Sequence, residues 1–209
     1  MIRRLALIQV VAGTLMLAAA SHAQWFGQNV VDRYYVDLAH QITFLDPGNV
    51  APASGYLEEW KLWAKSPGPV TLQVWRPVGS DYKLIGQNQV EVGSVGEVSI
   101  PVAPAGRIAI QAGDLLGFRY EGGYEHKVIA FDMGGGQQIW TNWPNAGTQI
   151  PVGGTLAGGM FSGYGEGRGY SLAAKIGAVP EPASMLALAA GALAGCGGSA
   201  TRDRSSAPP

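Results

Sequence analysis

The chain is almost without cysteine. Cys196 stands alone among 209 residues, so no disulfide can staple the fold, and any folded part must rest on its apolar core. Residues 24–178 contain no thiol, which excludes a cysteine nucleophile there. Charge is also scarce: Asp, Glu, Lys and Arg make up 14% of the chain, with a formal net charge of -1. Ten basic and thirteen acidic residues are scattered through 24–178 without a basic block. That distribution argues against nucleic acid as a partner.

Motifs for catalysis are equally thin. His40 and His126 have no second histidine or carboxylate at metal-ligand spacing, so no zinc signature is present. Ser162 lies in Phe161-Ser-Gly-Tyr164, which lacks the Gly-x-Ser-x-Gly elbow of serine hydrolases. The glycine-rich stretches around 153–159 and 163–169 have no Lys-Ser/Thr sequel and no strand-to-helix setting, so they do not read as phosphate cradles. Glu58 and Glu59 are adjacent, and on a strand they are expected to point to opposite faces, unsuited to pairing as glycosidase acid and base. Asp114, in Ala112-Gly-Asp114, is expected to cap a tight turn rather than to bind calcium. The expectation is a chain that is not an enzyme and has no cofactor, metal or catalytic residue.

Alternation is what the middle of the chain has in abundance. Trp60, Leu62 and Ala64 alternate with Lys61, Trp63 and Lys65, and Val70, Leu72 and Val74 with Thr71, Gln73 and Trp75. This period of two marks half-buried strands. Further strands are expected at 82–86, 89–92, 98–102, 108–110, 116–120, 128–133 and 170–176. Turn clusters punctuate them at Asp46-Pro47-Gly48-Asn49, Ser66-Pro67-Gly68-Pro69, 77–81 and 103–106. The residues from 134 to 169 read as a glycine-rich loop region. Short, evenly spaced strands with almost no helical periodicity predict an all-β, antiparallel β-sandwich over 24–178. The runs from Gly68 to Pro77, Tyr82 to Gly86 and Arg107 to Phe118 resemble extracellular jelly-roll modules, and that likeness implies an adhesive or ligand-binding role.

The two ends read as export signals. Arg3 and Arg4, the apolar residues 5–20 and Ser21-His22-Ala23 have the anatomy of a signal peptide over 1–23, cleaved between Ala23 and Gln24. At the other end, Val179-Pro180-Glu181-Pro182-Ala183-Ser184 cannot be helical, because each proline lacks a donor and restricts the residue before it. An uncharged Ala/Leu run from Met185 to Gly198 follows, suited to a C-terminal apolar transmembrane helix, and Arg202 and Arg204 form a basic end. Together these features over 179–209 are similar to a PEP-CTERM sorting signal. The resemblance implies processing by an exosortase-type membrane enzyme, transient anchoring through the tail, and a final place at the cell surface or outside the cell.

All six tryptophans lie between residues 24 and 178. Trp60 shares a face with Leu62 and is expected in the core. Trp63 and Trp75 share the outward faces with Lys61, Lys65, Thr71 and Gln73. Trp140, Asn142 and Trp143 form a candidate ligand-binding stretch, since exposed rings beside amides suit the C–H faces and hydroxyls of sugars. The functional expectation is a non-catalytic surface or matrix protein associated with exopolysaccharide in a biofilm. The alternatives are a secreted polysaccharide hydrolase and a structural surface protein without a small ligand.

Overall fold

The computed structural model describes residues 23–37, 41–120, 127–141, 145, 147–163 and 167–177. The signal peptide, the sorting tail and its helix, His40, His126, Asn142 and Trp143 lie outside the described residues; Ala23 and Gln24 are within them.

The described strands are β1 (Gln24–Gly27), β2 (Tyr35–Val36), β3 (Thr43–Asp46), β4 (Gly55–Ala64), β5 (Gly68–Val78), β6 (Asp81–Val92), β7 (Gly96–Pro101), β8 (Ala109–Ile110), β9 (Leu115–Arg119), β10 (Ala130–Met133), β11 (Ile139–Thr141), β12 (Thr155–Leu156), β13 (Phe161–Gly163), β14 (Arg168–Tyr170) and β15 (Leu172–Gly177). Only single 3₁₀ turns at Pro104–Gly106 and Gly158–Met160 interrupt them. Among the described residues the protein is all-β, and every strand pairing is antiparallel.

One sheet runs β1-β15-β4-β7, with β8 also paired to β4; a second, of seven strands, runs β12-β6-β5-β9-β3-β11-β13; a small third runs β14-β10-β2. The two larger sheets enclose one apolar core in a sandwich-like arrangement. Leu57, Trp60, Leu62 and Ala174 face it from the first sheet, and Phe44, Val70, Leu72, Val74 and Phe118 from the second. Phe131 and Tyr170 join it from the third. Phe44 and Phe118 stack with ring centroids 4.6 Å apart, and Tyr170 meets the Phe118 ring edge-on at 4.9 Å. Trp60 is fully buried and donates from Nε1 to Asn88 Oδ1 at 2.8 Å, so its one polar atom is satisfied inside the core.

The alternating segments form strands where expected, with three corrections. Residues 82–86 and 89–92 belong to one strand, β6, which pairs with β5 along its whole length through the Gly79-Ser80 turn. The residue skipped in that pairing, Ile85, forms a β-bulge opposite Val74 and Trp75. The expected strand over 170–176 is broken at Ser171. Its hydroxyl accepts from Arg33 Nε at 2.7 Å and donates to Val31 O at 2.7 Å, so Tyr170 joins the small sheet and Leu172 the first. The glycine-rich region contains β11, β12 and β13 and part of β14. These strands are two or three residues long, too short to show a period of two.

Candidate functional site

The side of the seven-stranded sheet turned away from the core carries a second, smaller apolar cluster and, beside it, a polar groove. Cross-strand register assembles this face in rows. Gln89, Thr71, Arg119 and Thr43 stand side by side across β6, β5, β9 and β3. The next row is Gln87, Gln73, Gly117 and Leu45; beyond it come Leu84, Trp75 and Leu115. The face therefore grades from amides, hydroxyls and a guanidinium to purely apolar side chains. Trp75 marks the boundary. It is 1% exposed and clusters with Leu45, Leu84, Leu115 and Leu156.

Trp75 takes the outward face that the alternation assigns it, yet its ring is buried. It does point away from the main core, but the segment 147–163 folds back over it. Leu156 packs on the cluster, and Ile150, Met160 and Phe161 close round it half-buried. Gly117 makes room: a Cβ there would meet Phe44 O at 2.5 Å, Leu45 Cδ2 at 2.8 Å and Trp75 Cδ1 at 3.0 Å. The indole consequently leans over the strand where a side chain would otherwise stand.

The covering segment leaves the polar end of the face open as a groove of about 200 Å³. Its polar walls are Thr43, Gln73, Gln87, Gln89 and Arg119 from the sheet, with Thr148 and Gln149 from the roof, and Trp75, Ile150 and Leu156 close its apolar end. Arg119, 2% exposed, donates from Nη1 to Thr148 O at 3.1 Å and from Nη2 to Gly147 O at 3.5 Å, tying the roof to the sheet. A second tie is Gly147 N donating to Gln41 O at 2.8 Å. Gln41 holds this position in left-handed backbone, φ 56°, a conformation that costs a non-glycine residue about 1 kcal/mol or more. Gln73 Nε2 donates to Gln87 Oε1 at 3.2 Å, and Trp75 Nε1 to Gln73 Oε1 at 3.2 Å. No Asp or Glu is among the described residues lining this groove.

Trp140 lies on β11 opposite Phe44 and Ser162, half-buried and packed against the main core. It thus sits on the other side of the sheet from the groove. The outer face of the first sheet carries half-buried Trp63 and, 41% exposed, Trp25, with Lys61 Nζ 5.0 Å from its ring centroid. Lys61 also pairs with Glu97 at 3.0 Å.

Glu58 and Glu59 do not simply alternate. Pairing of β4 with β15 passes from Glu59 to Leu57 and leaves Glu58 in a bulge. Glu58 meets Arg107 at 3.4 Å and Glu59 meets Lys175 at 3.8 Å. Asp114 does cap its turn: its Oδ2 accepts from Gln111 N at 2.8 Å, and Arg76 clamps both carboxylate oxygens at 2.7 and 2.8 Å. Among the described residues no group of three or more His, Cys, Asp or Glu is placed to hold a metal ion.

Gln73, Gln87, Gln89 and Arg119 were not singled out by sequence reasoning. The available signal was the alternation of Thr71, Gln73 and Trp75 with Gln87 and Gln89 on the far side of a tight turn. Counting from Val78 opposite Asp81 would set Gln73 against Gly86; the bulge at Ile85 moves it to Gln87 and brings the two amides together. No protein-family model matches the chain, no curated protein matches it, and no solved structure matches it.

Proposed function

We propose that this is an exported surface or matrix protein whose β domain binds exopolysaccharide without cleaving it. The observation that carries the reading is the amide-lined groove on the outer face of the seven-stranded sheet. Glutamine amides, threonine hydroxyls and a guanidinium line a concavity beside a rigid apolar cluster, and such convergent polar groups suit the many hydroxyls of a sugar chain. The site thus moves from the Trp140, Asn142 and Trp143 stretch to the groove, and recognition rests on hydrogen bonding more than on ring stacking.

Cleavage by a pair of carboxylates needs two acids facing each other across the substrate. Among the described residues that line the groove there is neither Asp nor Glu, and its amides and hydroxyls are the chemistry of binding rather than of acid–base cleavage. We read the architecture as jelly-roll-like, since the chain crosses between the two large sheets from β3 to β4, β4 to β5, β6 to β7 and β8 to β9. Export rests on the sequence of the ends. The signal peptide would be cut after Ala23, and Val179 to Ser184 with the following apolar run would pass to an exosortase-type enzyme, leaving the protein at the surface or in the matrix.

Affinity electrophoresis of the full chain in gels carrying host exopolysaccharide tests the reading. The wild type is expected to be retarded. Gln87→Ala/Gln89→Ala, two exposed positions, should weaken binding roughly tenfold, by loss of about one to two hydrogen bonds, while Trp140→Ala should leave retardation of the folded protein unchanged. Absence of retardation in the wild type would leave a structural surface protein. Loss only with Trp140→Ala would return the site to the β11 stretch.

A further inference from the structure

An indole N–H can only donate. Because Trp75 Nε1 donates to Gln73 Oε1, that amide has one orientation, with its carbonyl towards the indole and its NH₂ away from it. Gln73 Nε2 then donates to Gln87 Oε1, which orients the second amide in the same sense. Gln87 is left presenting its Nε2 protons to the groove. The origin of this relay is rigid: Trp75 is 1% exposed within its apolar cluster and Gln73 is 4% exposed. Gln87, at the other end, is exposed.

Elsewhere in the wall Thr43, Gln89, Thr148 and Gln149 can donate as well as accept, so Gln87 is the position whose donor is fixed outward. Arg119 adds a positive charge on β9, its Nη1 and Nη2 donating to the roof carbonyls of Thr148 and Gly147, and no carboxylate is among the described residues that line the groove. A fixed outward donor is matched by a strong acceptor, and a carboxylate accepts more strongly than the hydroxyls of a neutral sugar. Non-specific attraction would not supply this preference, because the chain's formal net charge is -1.

Resting on the glycan-binding reading, we propose that the groove selects acidic polysaccharide, receiving a sugar carboxylate at Gln87 Nε2. Trp75 is a positioning residue for that selectivity. Almost wholly buried at the apolar end of the groove, it acts by holding the Gln73 amide, and through it the Gln87 amide, donor-outward.

The test is calorimetric titration of the full chain with an oligomer of galacturonic acid and with the neutral galactose oligomer of the same length. The acidic oligomer is expected to bind about tenfold more tightly, the usual advantage of a charge-assisted hydrogen bond over a neutral one. Gln87→Glu, at an exposed position that folding tolerates, sets an acceptor and a like charge where the donor was, and should reverse the order. Trp75→Phe keeps an aromatic ring but removes the N–H. It should lower the preference to roughly twofold, with neutral binding retained. A merely structural Trp75 would instead weaken both oligomers alike. Equal or tighter binding of the neutral oligomer by the wild type overturns the proposal and leaves the glycan-binding reading standing, as does an unchanged preference in Gln87→Glu. Failure of both oligomers to bind, with exopolysaccharide also unretained, overturns both.

Discussion

Arg76 and Asp114 show how a buried charge is kept in this chain. Asp114 is 1% exposed, and the bidentate guanidinium together with the Gln111 N–H satisfies its oxygens. The hydrogen bond to Asp114 also pushes the Arg76 guanidinium above its ordinary value, against the opposing effect of burial, so Arg76 keeps its charge. Removing one partner of such a pair strands the other in a poorly solvated site. Arg76→Met is therefore expected to destabilise the protein by about 3 kcal/mol, read as a lower urea midpoint at unchanged slope. An equal midpoint would mean that water replaces the guanidinium at Asp114.

Strand β9 separates the main core from the groove and serves both. Leu116 and Phe118 face the core, while Leu115, Gly117 and Arg119 form the outer face. Gly117 is the tightest point, with a neighbouring carbonyl on one side and the Trp75 ring on the other. Gly117→Ala should cost about 2 kcal/mol, an overpacking strain, measurable by guanidinium titration. Because the added methyl displaces the ring that anchors the amide relay, it should also weaken polysaccharide retention in the fraction that remains folded. Unimpaired retention with lowered stability would separate the packing role of β9 from any role in the groove.

Stability of the fold also has a pH dependence that can be assigned. Burial raises the Asp46 carboxyl above its ordinary 3.8, although hydrogen bonds from the Asn49 side chain, the Gly48 backbone N–H and the Gln28 side chain pull the other way. Just above pH 3.8 the folded protein thus holds a proton that the unfolded chain has released. The associated stability is complete below pH 3.8 and is lost as pH rises through the raised value. Wild type should therefore lose stability relative to Asp46→Asn as pH climbs from 3.8 in urea titrations, and a difference constant with pH would refute the assignment. Tyr120 adds nothing in this range. Burial lifts its hydroxyl well above its ordinary value, and the hydroxyl accepts from Ile129 N at 2.9 Å.

Much of the architecture was legible in local residue patterns. Alternation over Trp60, Leu62 and Ala64 and over Val70, Leu72 and Val74 specified strands with one buried face, and these side chains do form the core. Turn chemistry at Asp46-Pro47-Gly48-Asn49 was equally readable: Gly48 N donates back to Asp46 Oδ1 at 3.1 Å. Both signals operate within a few residues, which is why composition and spacing sufficed to read the described residues as all-β and antiparallel. The fate of Trp75 was not local. Its outward direction followed from the period of two, but its burial depends on Leu156 and its neighbours, some eighty residues later in the chain. The groove likewise needed the one-residue bulge at Ile85 to set Gln73 against Gln87, and Arg119 to fasten the roof. A strand's pattern decides which side chains share a face. Only long-range packing decides which part of that face is covered and which is left open to a ligand.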